Sequence, residues 1–179
     1  MSTREQRPTD EPLGVPAARA ANLLEWLYDL RDRQRAKQAK AAWLIKGKNL
    51  AWERNRQGKM KWYLHPALDD TVIRTLMVCA QEIPPGGRTG VQKTPGGTIL
   101  YILQGRGYTL LDGVRHDWEA EDVVNVPIRR DGVTVQHVNL DPHEAVHFIA
   151  VDLNLVDTLG VDRGAVFEQV EPAPDYREQ

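Results

Sequence analysis

The spacing of apolar residues changes once along this chain of 179 residues, from a helical rhythm to an alternating one. Leu23, Leu24, Leu27 and Leu30 recur at helical spacing, with Trp26 beside them. Pro16 suits the first turn of a helix. The pattern runs on through a charged stretch to Trp43, and predicts one long helix over residues 16–43. Its first half carries a leucine stripe, and its second half is polar. Trp52, Trp62 and Tyr63 then stand among polar residues. This part reads as irregular chain with short strands over the mouth of whatever follows.

From Thr71 the period is two. Strands are predicted over 71–83, 98–103, 108–111, 114–118, 122–127, 132–139 and 146–153. Pro84-Pro85-Gly86-Gly87 and Gln104-Gly105-Arg106-Gly107 break the pattern. Asp112-Gly113 reads as a two-residue hairpin turn, because Asp and Gly tolerate the positive φ it demands. Many short strands between Gly/Pro turns argue for an all-β sandwich or jelly roll with an N-terminal helical arm. The expected divisions are a disordered tail at 1–15 and a helical arm with connecting segment at 16–66. A barrel at 67–155 and a C-terminal surface segment at 156–179 follow.

Composition narrows the class. Cys79 is the single cysteine, so an internal disulfide and a cysteine-based zinc site are excluded. On a predicted strand it reads as a small buried hydrophobe. No apolar run is long enough to span a membrane, and residues 1–12 lack the apolar core of a secretory signal. A reducing cytoplasm is the expected compartment. The net charge of −2 hides an asymmetry: residues 1–66 balance to +7 and residues 67–179 to −9. The basic residues are scattered among Trp, Leu and Glu, and no nucleic-acid signature accompanies them. The plainer reading is a basic arm lying on an acidic barrel, its own or a second subunit's.

The candidate chemistry lies between Gly86 and Asn139. Gly86 and Gly105 bracket the spacing G-x5-H-x-H-x3-E-x6-G, with Gln92, Thr94 and Thr98 at the positions of the two His and the Glu. Pro127, Gly132 and Asn139 fit a second spacing, G-x5-P-x-G-x2-H-x3-N, with Val135 at the His position. Its opening glycine is Glu121, and the stretch between Pro127 and Gly132 is longer than the pattern. These motifs, with the phrase from Tyr101 to Tyr108 and the one from Asp112 to Ala120, resemble the cupins. The likeness is to single-domain bacterial cupins similar to half of a gentisate-type ring-cleaving dioxygenase. It covers roughly residues 71–153.

The resemblance implies a double-stranded β-helix whose members hold a metal ion through three His and a Glu. Here Gln92 offers a neutral amide, Thr94 and Thr98 un-ionised hydroxyls, and Val135 nothing. Such a set lacks the charge and the nitrogen donors of a tight transition-metal site. No metal and no cofactor are therefore expected. Strand parity puts Val135, His137 and Asn139 on one face. Gln92, Thr94, Thr98, Leu100, Val135, His137 and Asn139 are the expected ligand-binding residues. His137 is the one cavity candidate for acid–base work. A lone imidazole without a second titratable partner is an incomplete catalytic constellation, so a bond to Gln92 or a threonine is the plainer role for it. His116, His143 and His147 read as surface or structural residues.

Three functions stay open. The first is a metal-free binder of a small aromatic or carboxylic compound, in a sensor or accessory role. The second is a dioxygenase-like or isomerase/lyase enzyme that uses His137 at a non-standard site. The third is a non-catalytic subunit of a cupin hetero-oligomer. A homodimer built through barrel and arm is the expected assembly, without nucleic acid or membrane partners.

Overall fold

The structure, a computed structural model, describes residues 22–68, 73–154 and 167–178. The chain divides into two compact units, residues 1–39 and 40–179. In the first, α1 runs Leu23–Lys40. The helix ends at Lys40, short of the predicted Trp43, and the expected tail at 1–15 lies outside the described residues. No helix among the described residues is long and apolar enough to cross a membrane.

The second unit is a pair of antiparallel sheets. In chain order the strands are β1 Glu53–Asn55, β2 Gly58–Leu64, β3 Leu76–Ile83, β4 Val91–Thr94, β5 Thr98–Gln104, β6 Arg106–Leu111, β7 Val114–Glu119, β8 Val123–Val126, β9 Val133–Asn139, β10 Val146–Leu153 and β11 Glu168–Glu171. One sheet has the order β1-β2-β3-β10-β5-β8, and the other β11-β4-β9-β6-β7. This is the two-sheet jelly roll that the alternating pattern predicts.

Alternation fixes which side chains face inward. Along β9, Val133, Val135, His137 and Asn139 are buried, and the residues between them are half-buried. Along β10, Val146, Phe148 and Ala150 are buried. Phe148, Ile83, Leu100, Ile102, Val133 and Val146 are almost wholly removed from solvent. Each such side chain contributes roughly 1.5–3 kcal/mol of hydrophobic stabilisation. The β6–β7 hairpin turns at Asp112-Gly113 with φ of 50° and 82°, as the sequence demands. Asp112 also accepts a bond from the Thr134 backbone N–H at 2.8 Å, tying the turn to β9.

Two segments are built into the sheets more fully than the sequence reading describes. Residues 53–64 are more than a connection. They form the β1–β2 hairpin, and β2 pairs along β3. Met60 and Trp62 pack with the core, while Lys59 and Lys61 alternate outward, so charge masks the apolar period. Lys59 reaches Glu82 at 2.8 Å, and Lys61 lies 4.6 Å from the centroid of the Trp52 ring. The C-terminal segment, expected on the surface, is mostly exposed over 167–171 and also supplies β11, which pairs with β4 through Gln169 opposite Gln92. Asn139 shows a difference. Its side-chain amide donates to the carbonyls of Ile83, Pro84 and Glu144, at 2.8–3.2 Å. It staples two loops together, and it is not among the residues lining the cavity, where the sequence reading expects it.

Candidate functional site

Between the sheets lies a cavity of about 1140 Å³. Its walls are period-two sets from successive strands. Gln92 and Thr94 come from β4, Thr98 and Leu100 from β5, and Val135 and His137 from β9. In the same sheet as β5, facing β4 and β9, the wall continues with Met60 and Trp62 of β2, Cys79 and Gln81 of β3, and Phe148, Ala150 and Asp152 of β10. The six cavity residues predicted on β4, β5 and β9 thus share one space. Sequence reasoning misses the wall from β2, and Gln169 and Tyr176 of the C-terminal segment. For β2 the available signal is the Met60/Trp62 alternation; for the C-terminal segment there is none.

His137 anchors the inner end of this space. Its Nδ1 lies 2.8 Å from the hydroxyl of Thr109, and the Trp118 indole N–H donates to that same hydroxyl at 2.9 Å. Thr109 stands directly opposite His137 in the β6–β9 ladder, which is why the two meet. Gly107 makes room for Trp118: a Cβ there would meet the indole Cη2 at 2.4 Å and the Val138 carbonyl at 2.1 Å. The His137 backbone N–H donates to the Thr89 hydroxyl at 3.0 Å. The imidazole and the Phe148 ring meet in a T-shaped contact, with ring centroids 5.3 Å apart. Burial holds its pKa down, at about 4, so the ring is neutral near pH 7. The ring's hydrogen bond to the protein is made by Nδ1. Among the described residues no buried side-chain nitrogen or oxygen lacks a partner, so Nε2 opens into the cavity.

The remaining polar wall is neutral or internally satisfied. Gln81 donates to the Gln57 carbonyl at 2.7 Å. The Thr98 hydroxyl donates to the Asp152 carboxylate. Cys79 is 2% exposed. Burial, and secondarily the charge of Asp152, pushes its thiol up to about 12, which makes it a poor nucleophile. At the outer end His65 accepts a bond from the Ala67 backbone N–H at 3.1 Å and stacks edge-on with Trp62. Arg54, which pairs with Asp175, and Arg56 complete the rim. His116 and His143 are exposed. His147 is half-exposed, with its Nε2 3.6 Å from Glu82 on the outer face of the sheet.

No protein-family model matches the chain. It is 29% identical over 112 residues to a 5-aminosalicylate 1,2-dioxygenase from a Comamonas species. The match covers 63% of this chain and 28% of that protein, so the chain spans little more than a quarter of its relative's length. Among solved structures, a cupin-like protein from Thermotoga maritima superposes with a TM-score of 0.50 at 22% identity, over 67% of this chain and 87% of that one. The chain folds as a cupin. The polyketide cyclase RemF from Streptomyces resistomycificus shares the fold at 14% identity, with a TM-score of 0.55 over 75% of this chain and 89% of that one.

Cupins that hold a metal do so inside the barrel, so the four equivalent positions test the fit here. Gln92, Thr94, Thr98 and Val135 all line the cavity, where metal ligands would stand. Two hydroxyls, one amide and one isopropyl group do not supply the imidazole nitrogens or carboxylate that such an ion requires. Among the described residues no group of three or more His, Cys, Asp and Glu side chains is placed to hold a metal ion. The donor set present here does not fit the ion.

Proposed function

We propose that this cupin binds a small aromatic or carboxylic compound in its barrel without a metal ion, in a sensor or accessory role. The observation that carries the reading is the joint placement of Gln92, Thr94, Thr98 and Val135 on one cavity into which an imidazole nitrogen also opens. Aromatic and aliphatic walls with a few convergent polar groups are what a drug-sized organic ligand needs. Phe148, Met60 and Trp62 supply flat and deformable apolar contact. His137, Gln92 and Thr94 orient the ligand, and Arg56 at the rim suits an acidic substituent. The relative named for 5-aminosalicylate supplies the compound class to try first. Calorimetric titration with 5-aminosalicylate, salicylate and benzoate, alongside metal analysis of untagged protein, tests the proposal. Saturable binding to metal-free protein is expected. A stoichiometric transition metal held within the barrel would overturn it.

The similarity to that dioxygenase also favours a second reading, an enzyme acting on an aromatic acid through His137. Turnover of 5-aminosalicylate by the purified protein, lost in His137→Gln, would establish it. Binding without turnover, with or without added iron, supports the first reading. Assembly as a homodimer, or with a second cupin chain, is tested separately by sedimentation of the full chain.

A further inference from the structure

We infer that Trp118 and Thr109 lock His137 in the tautomer that carries its proton on Nε2, so that the cavity selects compounds presenting a hydrogen-bond acceptor at that point. The inference rests on the proposed ligand-binding reading for its second half and on geometry alone for its first.

The geometry reduces to a proton count. The Trp118 Nε1–H can only donate, and it donates to the Thr109 hydroxyl at 2.9 Å. A hydroxyl has one proton to give. Thr109 is wholly buried, and the partners of its side chain are the Trp118 indole and His137 Nδ1, at 2.8 Å. If Nδ1 carried the imidazole proton, the Thr109 oxygen would receive two donors while its own O–H pointed at nothing. A buried hydroxyl without an acceptor costs about 1–3 kcal/mol. If Nδ1 is bare, Trp118 donates to Thr109, Thr109 donates to His137, and every group in the chain is matched. The second arrangement wins by that margin, and it leaves the proton on Nε2.

The consequence runs outward into the cavity. A neutral imidazole with Nε2–H is a donor there. It is neither a base nor a metal ligand, because its only lone pair is engaged by Thr109. The compound this position takes is one that offers a carbonyl, carboxylate or phenol oxygen. A cationic amine finds a donor facing a donor and is rejected. Thr109 and Trp118 touch no ligand, so they are positioning residues.

The test is nitrogen-15 NMR of the histidine side chains in the full chain at pH 7, with the His137 signals assigned by their loss in His137→Gln. The parent protein is expected to show a protonated Nε2 and a bare Nδ1. Thr109→Val, which keeps the shape and removes the hydroxyl, is expected to mix the two tautomers. Thr109→Ser is expected to restore the parent pattern, which a merely structural role would not explain. A protonated Nδ1 in the parent overturns the inference even if Thr109→Val does not fold. For the second half, salicylate and benzylamine are titrated as probes. Salicylate is expected to bind the parent and to bind Thr109→Val about tenfold more weakly. Benzylamine binding as tightly as salicylate overturns the selection. If neither probe nor any aromatic acid binds, the proposed function fails, while the tautomer is judged on its own spectrum.

Discussion

Gln92 stands directly opposite Val135 in the β4–β9 ladder, and both side chains face the barrel cavity. Two positions far apart in the chain are therefore neighbours at the place where this fold can grip an ion. Gln92→His, Thr94→His, Thr98→Glu and Val135→His together are expected to create stoichiometric nickel or iron binding, measured by calorimetry and elemental analysis. The Thr98→Glu change brings a second carboxylate close to Asp152, and a bound cation would offset both charges. A folded quadruple variant that stays without metal would show that these positions do not converge.

His137 ties stability to pH. Its folded pKa, about 4, lies below the ordinary value of 6.5. Between those two values the unfolded chain takes up a proton that the folded chain refuses. The folded state is therefore penalised as pH falls through 6.5, and the penalty levels off below 4. At pH 4 it is roughly 3 kcal/mol relative to pH 7.5. Urea unfolding of the parent and of His137→Gln at both pH values reads the difference, and the variant is expected to lose less stability on acidification. Equal losses would place the imidazole in contact with water.

Asn139 is expected to matter to folding and not to binding. Asn139→Leu strands the carbonyls of Ile83, Pro84 and Glu144, and the Asp141 backbone N–H that donates to Asn139 Oδ1 at 2.8 Å. A loss of roughly 2–4 kcal/mol in denaturant unfolding is expected. The affinity of surviving folded protein for a barrel ligand is expected to stay within about twofold of the parent, since a change under ~0.4 kcal/mol is all that a residue outside the cavity contributes.

Glu121 occupies a glycine's backbone. Its φ is 77°, in the left-handed region, at the position where the second motif opens with Gly. Its N–H donates to the Ile102 carbonyl at 2.9 Å, which holds the turn. Glu121→Gly is expected to raise stability by about 0.5–1 kcal/mol, the relieved strain outweighing the added freedom of the unfolded chain. Thermal unfolding checks it, and a lowered midpoint would show that the Glu side chain contributes more than its strain costs.

The barrel strands were legible because burial on one face imposes strict alternation. Residues 146–153 match their predicted strand, and the Asp112-Gly113 turn forms where its chemistry requires. Parity also placed Val135 and His137 on one face. β2 was obscured because its outward positions are lysines that look like loop residues until Glu82 and Trp52 are seen beside them. β11 was illegible: Glu168, Gln169 and Glu171 carry no apolar period, and the strand exists by pairing with β4. For His137 the sequence suggests a bond to Gln92 or a threonine without naming Thr109. That partner is set by the β6–β9 register, which no local pattern encodes.

Trp62 spans two neighbourhoods at once. Its ring lines the cavity and leans on His65, while its indole N–H is held by Glu53 at 2.9 Å. An indole fixed at one end and facing the cavity at the other is a built-in optical reporter. Its emission colour and intensity follow the polarity of whatever fills the barrel, so occupancy can be read by fluorescence from unlabelled protein.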